Sequence, residues 1–196
     1  SFIYTLMKYL LTRRIFESQE ELNSQAPLLK LDGNADIDLI QKIQSLISSG
    51  SILEISCGNG ADALELLKRG YVVFGTENNQ QYVDHVNQKI NCVKHDTKNK
   101  FPFPDNSFNL VYSRLGLHYF SESELQSIFK DINRVTKEYL VFTVKLVNDI
   151  KTGKTIFTKE TWEKLVSEDF EIVSSEVKEG ILYDNQSKWL EIVAKK

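Results

Sequence analysis

The sequence predicts an α/β protein with a doubly wound, mostly parallel seven-stranded sheet, helices on both faces and an antiparallel C-terminal hairpin. Two observations lead to this prediction. From Gly50 onward, short apolar runs alternate with segments whose apolar residues recur at helical spacing. The last two predicted strands follow each other without a helix between them, which is typical of an antiparallel pair. Since no low-complexity run interrupts the sequence, residues 1–196 are predicted to form one domain.

The first part of the chain, residues 1–49, is predicted to be a helical segment ahead of a core that covers residues 50–196. Helices are expected at residues 2–16 and 36–48, and the second ends before Gly50, a typical stop signal. The polar stretch between them is predicted to be irregular. Three interpretations of the first helix stay open, namely a lid over the site, an element packed on the sheet, or a dimer contact.

The core is predicted to alternate between strands and helices. Strands are expected at residues 51–55, 71–76, 90–93, 108–112, 139–144, 169–176 and 188–194. Helices are expected at residues 59–69 and 80–88, after the capping box of Ser121 and Glu124, and after Thr158. Ligands of such sheets bind outside the carboxyl ends of the strands, so the residues after the first four strands are the candidates for a site.

Composition narrows the expected partners and location. A formal net charge of −3 provides no basic surface, so nucleic acid is not an expected partner. No apolar stretch approaches the roughly 20 residues that span a bilayer, so no membrane partner is expected. Two cysteines make no disulfide framework, which favours a cytoplasmic location. The three histidines lack metal-ligand spacing, so no metal is predicted. Monomer and homodimer both stay open.

The residues after the first three strands suit a ligand that contains adenosine. Gly58 and Gly60 let the backbone turn sharply and approach a ligand, and the next helix directs free N–H groups at it. Glu77 follows the second strand, where a carboxylate can accept from both hydroxyls of a ribose. Asp96 and Thr97 follow the third strand, where a carboxylate and a backbone N–H can meet an adenine.

The same residues resemble those of a known family. Residues 54–60 are similar to the first motif of class I, Rossmann-like S-adenosylmethionine-dependent methyltransferases, acidic-x-Gly-x-Gly-x-Gly. Glu77 and Asp96 match the acidic residues after that family's second and third strands. Residues 101–111 and 113–120 resemble the stretches before and after its fourth strand in members that act on small molecules. Together these motifs identify the core as similar to this family.

The resemblance implies a cofactor site for S-adenosylmethionine, with S-adenosylhomocysteine as the product. The loop after strand one would wrap the methionine part, an acidic residue would hold the ribose, and the residues after strand four would line the site under the sulfonium. The first acidic residue of the motif would orient the loop, or take the cofactor's ammonium group through water. The implied cofactor-binding residues are Glu54, Ser56, Cys57, Gly58, Gly60, Glu77, Asn78, Asp96, Thr97, Ser113 and Arg114.

Three positions depart from the family pattern. Ser56 replaces the first motif glycine, which suits the motif if this position keeps an ordinary negative φ. Asn109 stands where the fourth strand usually carries an acidic residue. Residues 135–138 replace the usual Pro-Gly-Gly turn before the fifth strand.

Two further functions are weighed against methyl transfer. Residues 58–63 also fit the Gly-x-Gly-x-x-Gly/Ala motif of NAD(P)-binding oxidoreductases, with Glu77 at the expected distance. Against this, Glu54 lies within the first strand, where a charge is otherwise costly. The hairpin expected after strand five also leaves no stretch for a separate substrate domain within these residues. The other alternative is a non-catalytic protein that binds S-adenosylmethionine, because a fold does not fix a function.

The resemblance predicts direct methyl transfer to a small-molecule acceptor. Such a reaction needs aligned partners and exclusion of water more than reactive side chains. His118 is the candidate general base because it follows strand four and titrates near neutral pH. A histidine that is merely packed or touches the cofactor is the equal alternative. The Asn-Pro-Pro-Tyr type segment of nucleic-acid and protein methylating enzymes is absent, since residues 112–115 read Tyr-Ser-Arg-Leu.

Overall fold

A computed structural model of the chain describes residues 33–146, 157–180 and 187–196. The predicted helix at residues 2–16 lies outside the described residues, as do residues 181–186 between the last two strands. The interpretations of the first helix therefore stay predictions. Among the helices that are described, none has the length and apolar character that crossing a membrane requires.

Seven strands and five α-helices make up the described part of the chain. The strands are β1 (Ser51–Ile55), β2 (Val72–Glu77), β3 (Asn91–Lys94), β4 (Phe108–Arg114), β5 (Thr136–Lys145), β6 (Glu171–Gly180) and β7 (Ser187–Lys195). The helices are α1 (Ile37–Leu46), α2 (Ala61–Lys68), α3 (Gln80–Val86), α4 (Glu122–Val135) and α5 (Lys159–Ser167). Each element predicted within the described ranges is present, with ends that shift by a few residues. A short 3-10 helix at Leu117–Tyr119 was not predicted.

The strands form one sheet in the order β3-β2-β1-β4-β5-β7-β6. Strands β1 to β5 run parallel to one another, and β7 runs antiparallel between β5 and β6. The predicted fold class, including the C-terminal hairpin, is confirmed. The chain moves outward from β1 to β3 on one side and then returns to β4 on the other. The strand order therefore reverses between β1 and β4.

Two hydrophobic layers cover the two faces of the sheet. One layer packs α4 and α5 on the sheet around Phe129, Phe142 and Trp162, all fully buried. The other packs α1, α2 and α3 on the opposite face, in a cluster that includes Ile43 of α1 and Tyr112 of β4. Since burying one large apolar side chain stabilises a fold by about 1.5–3 kcal/mol, these layers hold the strand ends in fixed positions.

The connection from α4 to β5 explains one departure from the family pattern. Helix α4 begins at the predicted capping box, where the N–H of Ser121 donates to the Glu124 carboxylate at 2.8 Å. It ends at Val135, and β5 begins at the next residue, Thr136. The Thr136 hydroxyl donates to the carbonyl of Ile132 at 2.7 Å, which satisfies a helix-end acceptor. The helix thus passes straight into the strand, and no glycine turn is needed.

Asn109 explains a second departure, because it joins the amino ends of three strands. Its Oδ1 accepts from the N–H of Ser51 at 3.1 Å, and its Nδ2 donates to the Glu138 carboxylate at 2.6 Å. An amide offers both a donor and an acceptor, which a carboxylate cannot do. The amide also fills the space beside Gly50, where an added Cβ would lie 2.5 Å from Oδ1.

Candidate functional site

The carboxyl ends of β1, β2 and β4 meet where the strand order reverses. In open α/β sheets this edge is the place where ligands bind. Ser56 to Gly60 form the loop after β1, and Glu77 and Arg114 are the last residues of β2 and β4. The structure therefore brings the main predicted residues to one edge of the sheet.

The loop after β1 is built from left-handed backbone. Gly58 has φ 51° and Gly60 has φ 71°, but Ser56 also has φ 57°. The expectation of a negative φ at Ser56 is therefore wrong. A side chain in this conformation costs roughly 1–2 kcal/mol, so the surrounding contacts must hold it there. The Cys57 N–H donates to the Thr76 carbonyl at 3.0 Å, and the Cys57 carbonyl accepts from the Gly60 N–H at 2.8 Å.

The two glycines of this loop differ in their surroundings. A Cβ added to Gly60 would lie 2.9 Å from Cγ1 of Val86 on α3. No described atom lies within 4 Å of the Cβ position at Gly58. Packing therefore excludes a side chain at Gly60, whereas Gly58 faces open space in which a ligand can come close to the backbone.

The Glu77 carboxylate lies directly beside the glycine turn. Its Oε2 accepts from the Gly58 N–H at 3.0 Å, and its Oε1 accepts from the Asn79 N–H at 2.9 Å. A carboxylate offers about four acceptor positions, so two remain for hydroxyl donors. The side chain of Asn78 is exposed next to it. Position, charge and remaining acceptor capacity all suit the binding of a diol at Glu77.

Asp96 and Thr97 follow β3 at the neighbouring strand end. The carboxylate of Asp96 is half-buried and accepts from the Lys98 N–H at 3.0 Å, which closes a turn. Thr97 is buried. The His95 N–H donates to the Glu77 carbonyl at 2.9 Å, so the residues after β3 are joined to those after β2.

Glu54, the acidic residue of the first motif, is buried below the loop. Its Oε2 accepts from the Ala63 N–H at 3.1 Å, in the first turn of α2. Burial, together with the negative charge of Asp62, raises the pKa of Glu54 well above its usual range. With 3% of its surface exposed, Glu54 is placed to orient the loop and the helix start rather than to contact a ligand directly.

Ser113 lies at the joint between β1 and β4 rather than on an open surface. Its side chain is fully buried, and its hydroxyl donates to the Ile55 carbonyl at 3.2 Å. Beyond it, Leu115 has φ 60°, another left-handed residue with a side chain. A Cβ added to Gly116 would lie 2.9 Å from the Cβ of Ser56. Two strained residues thus end neighbouring strands, an arrangement that clusters at functional sites.

Arg114 ties three parts of the chain together. Its Nε lies 2.7 Å from Oδ2 of Asp62, and its Nη2 donates to the Asn34 carbonyl at 3.2 Å. Oδ1 of Asp62 accepts from the Asp36 N–H at 2.7 Å. The pair therefore fixes the segment ahead of α1 against the start of α2 and the end of β4. Asp62 was missed as a functional residue, although an acidic residue on the buried face of an amphipathic helix was a signal for it.

The buried carboxyl of Asp62 should make stability fall as the pH rises. Burial raises its pKa from 3.8 to about 6, although Arg114 opposes this shift. The folded state then holds the proton more tightly than the unfolded state, so the stabilisation is complete below about pH 4 and is lost as the pH passes about 6. The expected loss is about 3 kcal/mol of unfolding free energy. Urea unfolding between these pH values should show a shallower decline for Asp62→Asn, because the variant loses the titration of Asp62 and also the part of the Glu54 pKa shift that the Asp62 charge causes. Parallel pH profiles for the two proteins would contradict this assignment.

A cavity of about 640 Å³ opens beside Arg114, on the β5 side of the strand ends. At the wall formed by β7, Glu191 has 3% of its surface exposed and its Oε2 accepts from Lys178 Nζ at 2.6 Å. Trp189 is buried on the same strand, with Lys145 Nζ 5.5 Å from its ring centroid. The described lining residues are Gly33, Asn34, Ala35, Asp36, Ile37, Asp38, Arg114, Leu115, Thr143, Lys178, Glu179, Trp189 and Glu191. Of the predicted site residues, Arg114 alone lies among them.

His118 lies in the short 3-10 helix after β4 and has 1% of its surface exposed. Its ring packs on Tyr119, with 4.6 Å between the ring centroids. It is not among the described residues that line the cavity. This placement agrees better with a packed histidine than with a general base, and its role stays a prediction.

The strand order, the antiparallel β7 and the left-handed glycine turn after β1 define a Rossmann-like methyltransferase fold. A family model described as a methyltransferase domain matches residues 52–139, which hold the first four strands and the loops after them. Fold, motifs and this match make the chain similar to the class I, Rossmann-like S-adenosylmethionine-dependent methyltransferases. The predicted resemblance is confirmed, and S-adenosylmethionine is the cofactor of this family.

Three known proteins illustrate the similarity. An uncharacterized methyltransferase of Synechocystis is 28% identical over 103 residues, which are 50% of this chain and 48% of that protein. The chain thus spans about half the length of this curated relative. A structure described as a SAM-dependent methyltransferase of Methanosarcina mazei superposes with a TM-score of 0.68 at 23% identity, covering 79% of this chain and 96% of that chain. Geranyl diphosphate C-methyltransferase of Streptomyces coelicolor, crystallised with S-adenosylhomocysteine, gives a TM-score of 0.66 at 10% identity over 81% and 80% of the two chains.

Proposed function

We propose that the protein transfers a methyl group from S-adenosylmethionine to a small-molecule acceptor. The observation that carries this proposal is the edge where the β1 loop, the Glu77 carboxylate and the cavity beside Arg114 lie next to one another. A bound cofactor and an acceptor need two adjoining volumes that share one boundary. The ends of β1 and β4 offer such a pair.

The residues present fit the cofactor. Gly58 leaves its backbone open to close approach, as the methionine part would require. Glu77 keeps acceptor positions for the ribose hydroxyls, and Asp96 with Thr97 stands one strand further out for the adenine. Asn78, Cys57 and the backbone of Ser56 complete the surface around the turn. Glu54 and Ser113 act from below by holding the loop and the β1–β4 joint.

The cavity beside Arg114 is proposed to hold the acceptor. It lies on the opposite side of the β4 end from the glycine turn, so Arg114 and Leu115 stand at the boundary between the two volumes. Its wall combines the indole of Trp189 with charged groups such as Glu191 and Lys178. A pocket of this size and mixed lining suits a small molecule.

In the proposed reaction the protein contributes position rather than a reactive group. The bound cofactor supplies a sulfonium whose methyl carbon is open to attack by a nucleophilic atom of the acceptor. The β1 loop and Glu77 would fix the donor end, while Arg114, held by Asp62, would fix the boundary with the acceptor. Holding two reactants in line is worth about 7–11 kcal/mol in favourable cases, and excluding water adds to this.

The cofactor part of the proposal is tested by calorimetric titration of the purified chain with S-adenosylmethionine, S-adenosylhomocysteine and NAD in separate runs. Micromolar binding of the first two and none of NAD is expected. Binding of NAD alone would overturn the proposal, and the glycine turn and Glu77 would then be assigned to a dinucleotide site. Turnover with a panel of small acceptors, measured as formation of S-adenosylhomocysteine, then separates an enzyme from a non-catalytic binder.

Replacing His118 tests whether a general base is needed. If His118 abstracts a proton, His118→Ala should lower turnover by about 100-fold or more while affinity for S-adenosylhomocysteine stays unchanged. If it only packs on Tyr119, His118→Phe should retain turnover and the Tm should change more than the rate. Unchanged turnover in both variants would end the proposal of a base.

A further inference from the structure

Two buried cysteines lie in contact beneath the proposed cofactor loop, and the proposed reaction uses neither of them. Sγ of Cys57 is 3.6 Å from Sγ of Cys92. Cys57 belongs to the loop after β1, and Cys92 belongs to β3. Their side chains have 5% and 1% of their surface exposed.

Gly75 allows the two thiols to meet across β2. In the parallel register Gly75 lies between Glu54 of β1 and Cys92 of β3. A Cβ added to Gly75 would lie 2.9 Å from Sγ of Cys57. Because the β2 strand has no side chain at this position, sulfur atoms from the elements on either side come into contact.

We propose that Cys57 and Cys92 form a reversible disulfide that controls access of the cofactor to the β1 loop. The sulfur atoms are already in contact, and the S–S bond of about 2.05 Å requires them to approach by about a further 1.5 Å. The loop must follow this movement. The formation of the disulfide is independent of the proposed function, but its effect on cofactor binding rests on it.

The oxidant that the proposal requires is a small organic disulfide. One cysteine thiolate attacks a sulfur of the reagent, the reagent's S–S bond breaks, and one reagent thiolate leaves with the electron pair. The second cysteine thiolate then attacks the mixed disulfide, forms the Cys57–Cys92 bond and releases the second reagent thiolate. The two protons from the cysteines end on the two released thiols. The cysteines lose two electrons and the reagent gains them.

The surroundings of Cys57 make this reaction slow at neutral pH. Hydrogen bonding with Cys92, burial and the negative charges of Glu54 and Glu77 raise the pKa of the Cys57 thiol. Since the thiolate is the nucleophile, oxidation should accelerate as the pH rises. A cofactor that holds the loop closed should slow it.

A shift of Cys57 would reach the proposed cofactor site directly. The Cys57 N–H is bonded to the Thr76 carbonyl, and the Cys57 carbonyl accepts from the Gly60 N–H. Gly58, the next residue, donates to Glu77. Movement of Cys57 towards β3 therefore changes the position of the glycine turn relative to the carboxylate that is proposed to bind ribose.

The test compares the reduced protein with protein treated with bis(2-hydroxyethyl) disulfide at pH 8.5. Intact mass and peptide mapping should show the loss of two hydrogen atoms and a Cys57–Cys92 crosslink. Affinity for S-adenosylhomocysteine should fall by about tenfold or more and return after dithiothreitol treatment. Saturation with S-adenosylhomocysteine before the treatment should slow formation of the crosslink.

Cys92→Ala is the matched variant, because it removes the partner thiol and leaves the cofactor loop intact. It should bind S-adenosylhomocysteine like the reduced protein, before and after the same treatment; Cys92→Ser provides the same comparison if the alanine variant folds poorly. Mixed disulfides without a crosslink, or a crosslink that leaves affinity unchanged, would overturn the inference while the proposed function stands. Failure of the reduced protein to bind S-adenosylhomocysteine would instead refute the proposed function and the control of binding with it.

Discussion

Glu77→Ala is expected to weaken the binding of S-adenosylhomocysteine by about 100-fold. The variant would lose the two charge-assisted hydrogen bonds that the ribose hydroxyls are proposed to donate to the carboxylate. Each is worth about 1.5–3 kcal/mol, and hydrogen bonds to water recover part of this loss. It would also leave the N–H groups of Gly58 and Asn79 without their present acceptor. Calorimetric titration of the variant measures the loss, and a Tm measurement detects any accompanying destabilisation.

Two comparisons separate ribose binding from a general effect of charge. Glu168→Ala removes an exposed carboxylate at the end of α5 and should leave the affinity unchanged. A 2′-deoxy analogue of S-adenosylhomocysteine should bind to wild type and to Glu77→Ala with much more similar affinities. If Glu77→Ala lowered the affinity for both ligands by the same factor, the assigned role of Glu77 in holding the hydroxyl groups would be refuted.

Alanine at Gly58 should mainly lower affinity, whereas alanine at Gly60 should mainly lower stability. Gly58→Ala meets no described atom within 4 Å, so it should cost only about 1 kcal/mol of stability for its left-handed backbone. The new methyl group would occupy the space expected for the ligand and lower affinity by about 30-fold. Gly60→Ala adds a contact with Val86 at 2.9 Å, and we expect it to lower the unfolding free energy by about 3 kcal/mol.

Gly70→Ala is the matched control for both variants. Gly70 has φ 91° and also has open space around its Cβ position, but it lies at the far end of α2 from the glycine turn. Its substitution should cost about 1 kcal/mol of stability and leave affinity unchanged. Urea unfolding and calorimetry of the three variants check the pattern. If Gly58→Ala bound S-adenosylhomocysteine as well as Gly70→Ala does, the ligand would not approach this part of the backbone. Combining Gly60→Ala with Val86→Ala should recover the steric part of the loss only.

The periodic parts of the fold were predictable because their signals are local. Strand β1 has the predicted bounds, and α4 starts at the capping box read from Ser121 and Glu124. The alternation of strands and helices then predicted a parallel sheet, because a helix that connects two strands of one sheet usually makes them parallel. Positions of motif residues at the strand ends followed from the same argument.

The parts that were missed depend on contacts between distant residues. The positive φ of Ser56 occurs where this residue packs closely against Gly116, sixty residues later in the chain. The burial of Ser113 depends on the register of β1 and β4, which sequence periodicity does not give. The ion pair between Asp62 and Arg114 joins two segments that are far apart in the sequence. Each of these is decided by packing, which a local pattern does not record.

The pairing of β1 with β4 has a consequence for how the protein unfolds. Within the described sheet, this pairing is the seam between a first half, β3-β2-β1, and a second half, β4-β5-β7-β6. The glycine turn and Glu77 belong to the first half, and Arg114 belongs to the second. A ligand that contacts both halves would link them across the β1–β4 pairing. Binding of the cofactor would then stabilise the contact between the two halves. The protection of β1 amides and of β4 amides from hydrogen exchange should therefore increase in parallel as the cofactor concentration increases.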